Sequence, residues 1–237
     1  ILVSNVRDDN YYDPTYPNYI AGFYSPSFEY YFDRNIISID AYDWANRMGP
    51  GVSRPYLYEG IIAHEMQHLL HGDADPDEDS FVNEGLADFA TWLCGYGSPL
   101  NPRNGLAKYP ENSLVAWEDQ GGLEILADYD LAYLWTMFLY EKFGTPMMKK
   151  MFNEQENGIS GINAALAGVG TSRRFAELYH DFSVALLIDW SMYNYRFGFK
   201  NENFKIDMGT PSSPNPQAFN TPGAPAWGTD YLWSKKN

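Results

Sequence analysis

The stretches His64-Glu65-Met66-Gln67-His68 and Asn83-Glu84-Gly85-Leu86-Ala87-Asp88 decide the reading of this chain. Around the first, Leu57, Ile61, Ile62, Met66, Leu69 and Leu70 recur over much of a helical circumference, which predicts a central helix from Tyr56 to about Leu70, stopped by Gly72. Four residues separate the two histidines, so a helix sets them one above the other, about 6 Å apart along the axis. At that spacing both rings can converge on one ion. Glu65, offset around the helix, can reach water on that ion but is poorly placed as a third ligand with them. Three polar groups on a core-facing turn are costly unless something satisfies them, and a zinc ion does.

The third ligand must come from elsewhere. His71 lies seven residues from His64, about 10.5 Å up the helix, too far for a shared ion with bonds near 2 Å. It reads instead as solvent-facing or as backing a ligand. Glu84 arrives on a second helix, expected from about Phe81 to Cys94, and completes a set of two histidines and one glutamate with a position open to water. Asp88, one turn further, reads either as a surface charge or as the carboxylate that fixes a ligand imidazole through its other nitrogen.

Outward from these helices, residues 1–22 are turn-rich, and residues 23–32 are dense in aromatics. Asp33-Arg34-Asn35 then turns the chain into Ile36-Ile37-Ser38-Ile39-Asp40, giving a β-hairpin or two neighbouring strands. Ser53 and Pro55 suit the start of the first long helix. After it, a short helix is expected near Ser113–Asp119 and a very apolar one from near Asp128 to Phe143. Further helices are expected over 146–153, around Ile159–Ala167 and from Arg173 to about Tyr193, the last capped by Thr171 or Ser172. Strands lead and helices follow, an α+β pattern. The expected organisation is one domain over 1–237: a small β-sheet lobe (1–55), a helical part (56–205) and an extended strap (206–237).

The chain is 45% apolar and carries a formal charge of -15, with 19 Tyr and 7 Trp. That is a folded, aromatic-rich protein whose acidic field argues against a nucleic-acid partner. No apolar run reaches membrane-spanning length. The lone Cys94 excludes an intrachain disulfide and, lying in an apolar segment, is expected to be buried. The opening at Ile1 is that expected of a processed protein or a fragment.

With its two motifs the chain resembles the gluzincin metallopeptidases, the group that includes thermolysin, a branch of aminopeptidases and the hyicolysin-like secreted proteases. The resemblance covers about residues 36–145, and the interval between His68 and Glu84 is shorter than in thermolysin. It implies a zincin-like fold, one zinc per chain on His64, His68 and Glu84, Glu65 as general base, and Asp88 orienting the first histidine. It also implies that Ile36, Ile37, Ser38 and Ile39 form an edge strand that pairs with substrate main chain. By the same resemblance Tyr129 stabilises the oxyanion, with Tyr133 and His180 as alternates. The metzincin pattern is absent, because His71 and Ala74 stand where it needs glycine and histidine.

The acidic loop Asp73-Ala74-Asp75-Pro76-Asp77-Glu78-Asp79 has two readings. One is solvated surface. The other is a calcium site through Asp73, Asp75, Asp77 and Asp79, although the glycine that an EF-hand loop needs at its sixth place is Glu78 here. The function expected is a secreted or surface-exposed zinc endopeptidase acting on peptide or protein substrates. Its rivals are an aminopeptidase with the same metal site and a non-catalytic adhesion or glycan-binding module that retains zinc.

Overall fold

The computed structural model describes residues 1–47, 55–100, 106, 111–119, 121–189, 195–206 and 224–231. It is an α+β structure with a small three-stranded sheet and a mostly helical remainder. The chain divides into two compact units, Ile1–Asp77 with Leu86–Pro99, and Glu78–Gly85 with Leu100–Asn237.

In the first unit β1 (Leu2–Ser4), β2 (Gly22–Tyr24) and β3 (Ile37–Asp40) form a sheet of order β1-β3-β2. β1 runs parallel to β3, with Val3 opposite Ile39, and β2 runs antiparallel to it, with Phe23 opposite Ser38. Short helices α1 (Asp9–Tyr12) and α2 (Pro26–Phe32) separate the strands, and α3 (Trp44–Arg47) follows them. β2 and β3 are thus neighbours, as expected, but the aromatic-rich segment between them is largely helix. Pro26 sits in the first turn of α2, and Asp33 ends it in a left-handed conformation (φ 50°). All four β3 residues are buried. The Asp40 carboxylate accepts the Val6 and Tyr42 N–H groups and pairs with Arg47, so the loops on either side of the sheet are tied to β3.

That central position corrects one expectation. Ser38 and Ile39 are paired to strands on both sides, Ile37 is paired with Tyr24 of β2, and Ile36 stands just before the strand. At Ser38 and Ile39 the main chain therefore has no edge left for a substrate. The sheet's outer strands are β1 and β2.

Helix α4 (Leu57–Ala74) packs on β2 and β3. It does not stop at Gly72. A Cβ there would lie 3.1 Å from the Tyr24 hydroxyl, so the glycine serves a close helix–strand approach and the helix runs on to Ala74. Helix α5 (Ser80–Leu93) is continuous and contributes to both units. Cys94, just beyond it, is exposed rather than buried, because the helix ends at Leu93 and the chain turns outward through Gly95 (φ 84°).

The second unit holds α6 (Ile125–Phe143), α7 (Thr145–Asn153), α8 (Gly158–Gly168) and α9 (Phe175–Ile188). α6 is its core, with every side chain from Asp130 to Leu139 buried. Trp135 and Phe138 meet the rings of Phe175 and Phe182 from α9, and Trp227 packs on Phe175 and Tyr179. Asp181, buried on α9, is bound by Arg173 and Arg196. Burial alone would raise its pKa, but the two guanidinium groups hold it below the ordinary value.

The N-cap of α9 is Arg174, not Thr171 or Ser172; its N–H donates to Glu177. The helix ends at Asp189 (φ 39°), and residues 190–194, where its end was expected, lie outside the described residues. So does most of the expected 206–237 strap. Of it, residues 206 and 224–231 are described, and Tyr179 and Tyr231 fasten the latter segment to α9 through O–H bonds to Trp227 and Ser183 carbonyls.

No helix forms over 113–119. Ser113 Oγ accepts the Val115 and Ala116 N–H groups, and the segment turns onto Asp128, which accepts from Asn112 and from the Glu118 N–H. Burial pushes the Asp128 carboxyl up to about 6, against the lowering effect of those two bonds. The native state therefore takes up a proton near pH 6 that the unfolded chain takes up only near the ordinary carboxylate value of about 4. Stability from this group is greatest below pH 4 and is lost as pH rises through 6. Thermal unfolding followed from pH 4 to pH 8 should show that decline, and Asp128→Asn should flatten it; an unchanged profile in the variant would place its origin elsewhere.

Candidate metal centre

Among the described residues, one set of three or more His, Cys, Asp or Glu side chains lies close enough to hold an ion: His64, His68 and Glu84, with ligand atoms within 4.8 Å of one another. The two histidines follow from α4, where four residues make a little over one turn. Their Nε2 atoms are 3.0 Å apart, and their rings stand edge to face. Two ligands bonded to one tetrahedral zinc at about 2.05 Å lie about 3.3 Å apart, so the pair has nearly the required separation.

Within the first unit two bonds tie α5 to α4. Asp88 Oδ1 lies 2.8 Å from His64 Nδ1, and Thr91 Oγ1 donates to the Gly60 carbonyl at 2.9 Å. Glu84 sits one turn before Asp88 on the same continuous helix. A carboxylate only accepts, so the Asp88 contact assigns the proton of His64 to Nδ1 and leaves the Nε2 lone pair facing the cluster. One acid of α5 thus aligns an imidazole while the next, one turn away, supplies a donor atom of its own. Two neutral imidazoles and a carboxylate suit zinc, and three protein donors leave a fourth position for water.

Glu65 is only 5% exposed although it belongs to a charged type. Strand β2 comes close to its stem at Gly22. A Cβ on Gly22 would come within 2.7 Å of Ile61 Cγ2, 2.9 Å of the Ser38 carbonyl oxygen and 3.2 Å of Glu65 Cγ. Strand β2 can lie directly over the carboxylate's stem because residue 22 has no side chain. On the other helix Gly85, beside Glu84, is equally confined, since a Cβ would meet Ala132 O at 2.7 Å.

The remaining site expectations divide. His71 is buried, at 1% exposure, so it does not face solvent, and it stands outside the cluster as its distance along α4 predicts. Among the described residues, Asp73, Asp75, Asp77 and Asp79 belong to no group of three acids or imidazoles as close as the His64, His68 and Glu84 set. Asp73 is on the last turn of α4, Asp75 is its buried C-cap, and the loop's far end is engaged elsewhere. There Glu78 accepts the Gly158 N–H at 2.7 Å, at the start of α8. In the second unit Tyr129 is half-buried against the Trp117 ring, and His180 is exposed on α9. Tyr133 is wholly buried, and its hydroxyl donates to Glu202, which commits that hydroxyl.

Three residues of this architecture escaped the reading of the sequence: Gly22, Gly60 and Thr91. The signal available was Gly60, a glycine inside an otherwise regular helix one turn before His64, which is costly unless another element approaches closely.

No protein-family profile matches the chain, and no curated protein gives a significant match. No helix among the described residues is long and apolar enough to cross a membrane.

Loss of the orienting carboxylate should be read in metal affinity. Asp88→Ala is expected to weaken zinc binding about 10- to 100-fold, measured by competition with a chromophoric chelator. An affinity equal to that of the unaltered protein would show that Asp88 is only a packing charge.

Proposed function

We propose that the chain is a zinc-dependent endopeptidase of gluzincin type with a zincin-like fold, secreted or surface-exposed. The observation that carries this reading is the division of labour on two helices. His64, His68 and Glu84 converge, Asp88 aligns one imidazole, and a further carboxylate, Glu65, sits on the same turn as the histidines. A purely structural zinc has no need of that last group.

Zinc held by these three donors would supply Lewis acidity, polarising a scissile carbonyl and making water a nucleophile at neutral pH. The rest falls to the chain's own residues. Glu65 accepts the proton of the attacking water and delivers it to the leaving amine. Its burial beneath β2 limits solvent around the carboxylate and keeps its side chain in one orientation. Asp88 keeps the proton of His64 on Nδ1 throughout. The developing oxyanion needs a hydrogen-bond donor, and by the gluzincin resemblance we assign that role to Tyr129, with Tyr133 and His180 as alternates. Substrate recognition by strand addition would use β2, the outer strand that packs on α4 at Glu65, rather than β3.

Glu65→Gln should lower the hydrolysis of a mixed peptide library by about a thousandfold or more while zinc content stays near one per chain. Retained turnover would refute the base assignment. Internal cuts in that library support the endopeptidase reading, cuts confined to N-terminal residues indicate an aminopeptidase, and no cuts by zinc-loaded protein indicate a binding module. Tyr129→Phe should lower turnover about a hundredfold with little change in apparent substrate affinity. Unchanged turnover would remove Tyr129 from the mechanism.

A further inference from the structure

Within the first unit, α4 and α5 meet at a point that neither the metal donors nor the proposed chemistry uses. Thr91, one turn beyond Asp88, is 9% exposed, and its hydroxyl donates to the Gly60 carbonyl in a buried 2.9 Å bond. That carbonyl is the one a regular α-helix pairs with the N–H of His64. The helices are also at their limit of approach there. A Cβ built on Gly60 would lie 3.0 Å from Thr91 Cγ2 and 3.7 Å from Tyr96 Cβ. Glycine lets the threonine methyl rest on the helix backbone without strain while its hydroxyl reaches the carbonyl.

We propose that Thr91 is a positioning residue, seated against Gly60, that sets the distance and rotation of α5 on α4 so that Asp88 and Glu84 arrive at the histidines in register. The inference rests on the zinc reading given above, but its geometry is independent of any ion. Residues 84, 88 and 91 follow one another along one face of α5 at spacings of four and three. The Thr91–Gly60 contact fixes one point of that face, and the Asp88–His64 bond fixes a second one turn away. With two points fixed the helix cannot rotate about its axis, and Glu84, one turn further, inherits its place. With Thr91 released, one of these two polar ties is lost and the register of α5 on α4 is less tightly set at that point. A metal site tolerates errors of only about 0.2 Å in its donor distances, so a small rotation is felt in affinity before it is felt in folding.

The test uses the whole chain and four variants. Thr91→Val keeps the methyl and removes the hydroxyl, and should weaken zinc binding about tenfold or more. Thr91→Ser keeps the hydroxyl and should bind zinc as the unaltered protein does. Gly60→Ala raises intrinsic helix propensity, yet should weaken zinc binding because its methyl collides with Thr91 Cγ2. Gly60→Ala with Thr91→Ser, which removes that Cγ2, should recover most of the loss. A purely structural role for Thr91 would predict neither the opposed effects of Gly60→Ala on stability and affinity nor the rescue. A second readout needs no metal: the ring ¹⁵N shifts of His64 in the metal-free protein. They should report the Nδ1–H tautomer in the unaltered chain and in Thr91→Ser, and an averaged imidazole in Thr91→Val. Zinc affinity of Thr91→Val within twofold of the unaltered protein, or an unchanged His64 tautomer in that variant, overturns the proposal. If the unaltered protein binds no zinc, the metal reading fails and the tautomer measurement alone decides the role of Thr91.

Discussion

Polar groups join α4 to α5, and the candidate site depends on that join. Apolar side chains alone would leave the pair free to slide, because burial of apolar area is non-directional. A buried hydroxyl on a helix carbonyl and a carboxylate on an imidazole are directional and are lost if either helix rotates. Such groups are costly to bury unsatisfied, so the same bonds that orient the histidine also make any other arrangement of the helices unfavourable. Orientation of lone pairs and specification of the helix packing are here one physical constraint.

Glycine acts at each place where main chain must come near that constraint. Gly22 lets β2 lie over Glu65, Gly60 admits Thr91, and Gly72 receives the ring of Tyr24. A methyl group at Gly22 would force a shift against Ile61 and the Ser38 carbonyl, and at Gly60 or Gly72 it would press on the Thr91 or Tyr24 side chain. The central strand β3, buried along its length and tied through Asp40 and Arg47 to the flanking loops, supplies the rigid floor on which these approaches are defined.

The acidic character of the chain is spent differently from what its clustering suggests. Residues 73–79 look like a cation loop when written in a line. In three dimensions α4 carries Asp73, Asp75 caps that helix, and Glu78 meets the N-terminus of α8, where the exposed N–H groups favour an anion. The Asp79 carboxylate lies against Gly158, whose left-handed conformation (φ 56°) favours glycine.

Much of the site was legible in the residues themselves, because its spacing is local. His64, Glu65 and His68 share one turn, Glu84 and Asp88 another, and helical geometry relates the members of each group without reference to the rest of the chain. The long helices were legible for the same reason, through apolar periodicity over many residues. Sheet order was not. Nothing in Ile36–Asp40 distinguishes a central strand from an edge, since that depends on partners drawn from residues 2–4 and 22–24. Helix ends moved where a distant contact outweighed the local signal, as when Gly72 received Tyr24 and α4 continued to Ala74. The sequence by itself determined which atoms could serve as donors and base. Only the tertiary structure decided how closely α5 approaches α4, because Thr91 and Gly60, thirty-one residues apart, meet in a bond that no local pattern encodes.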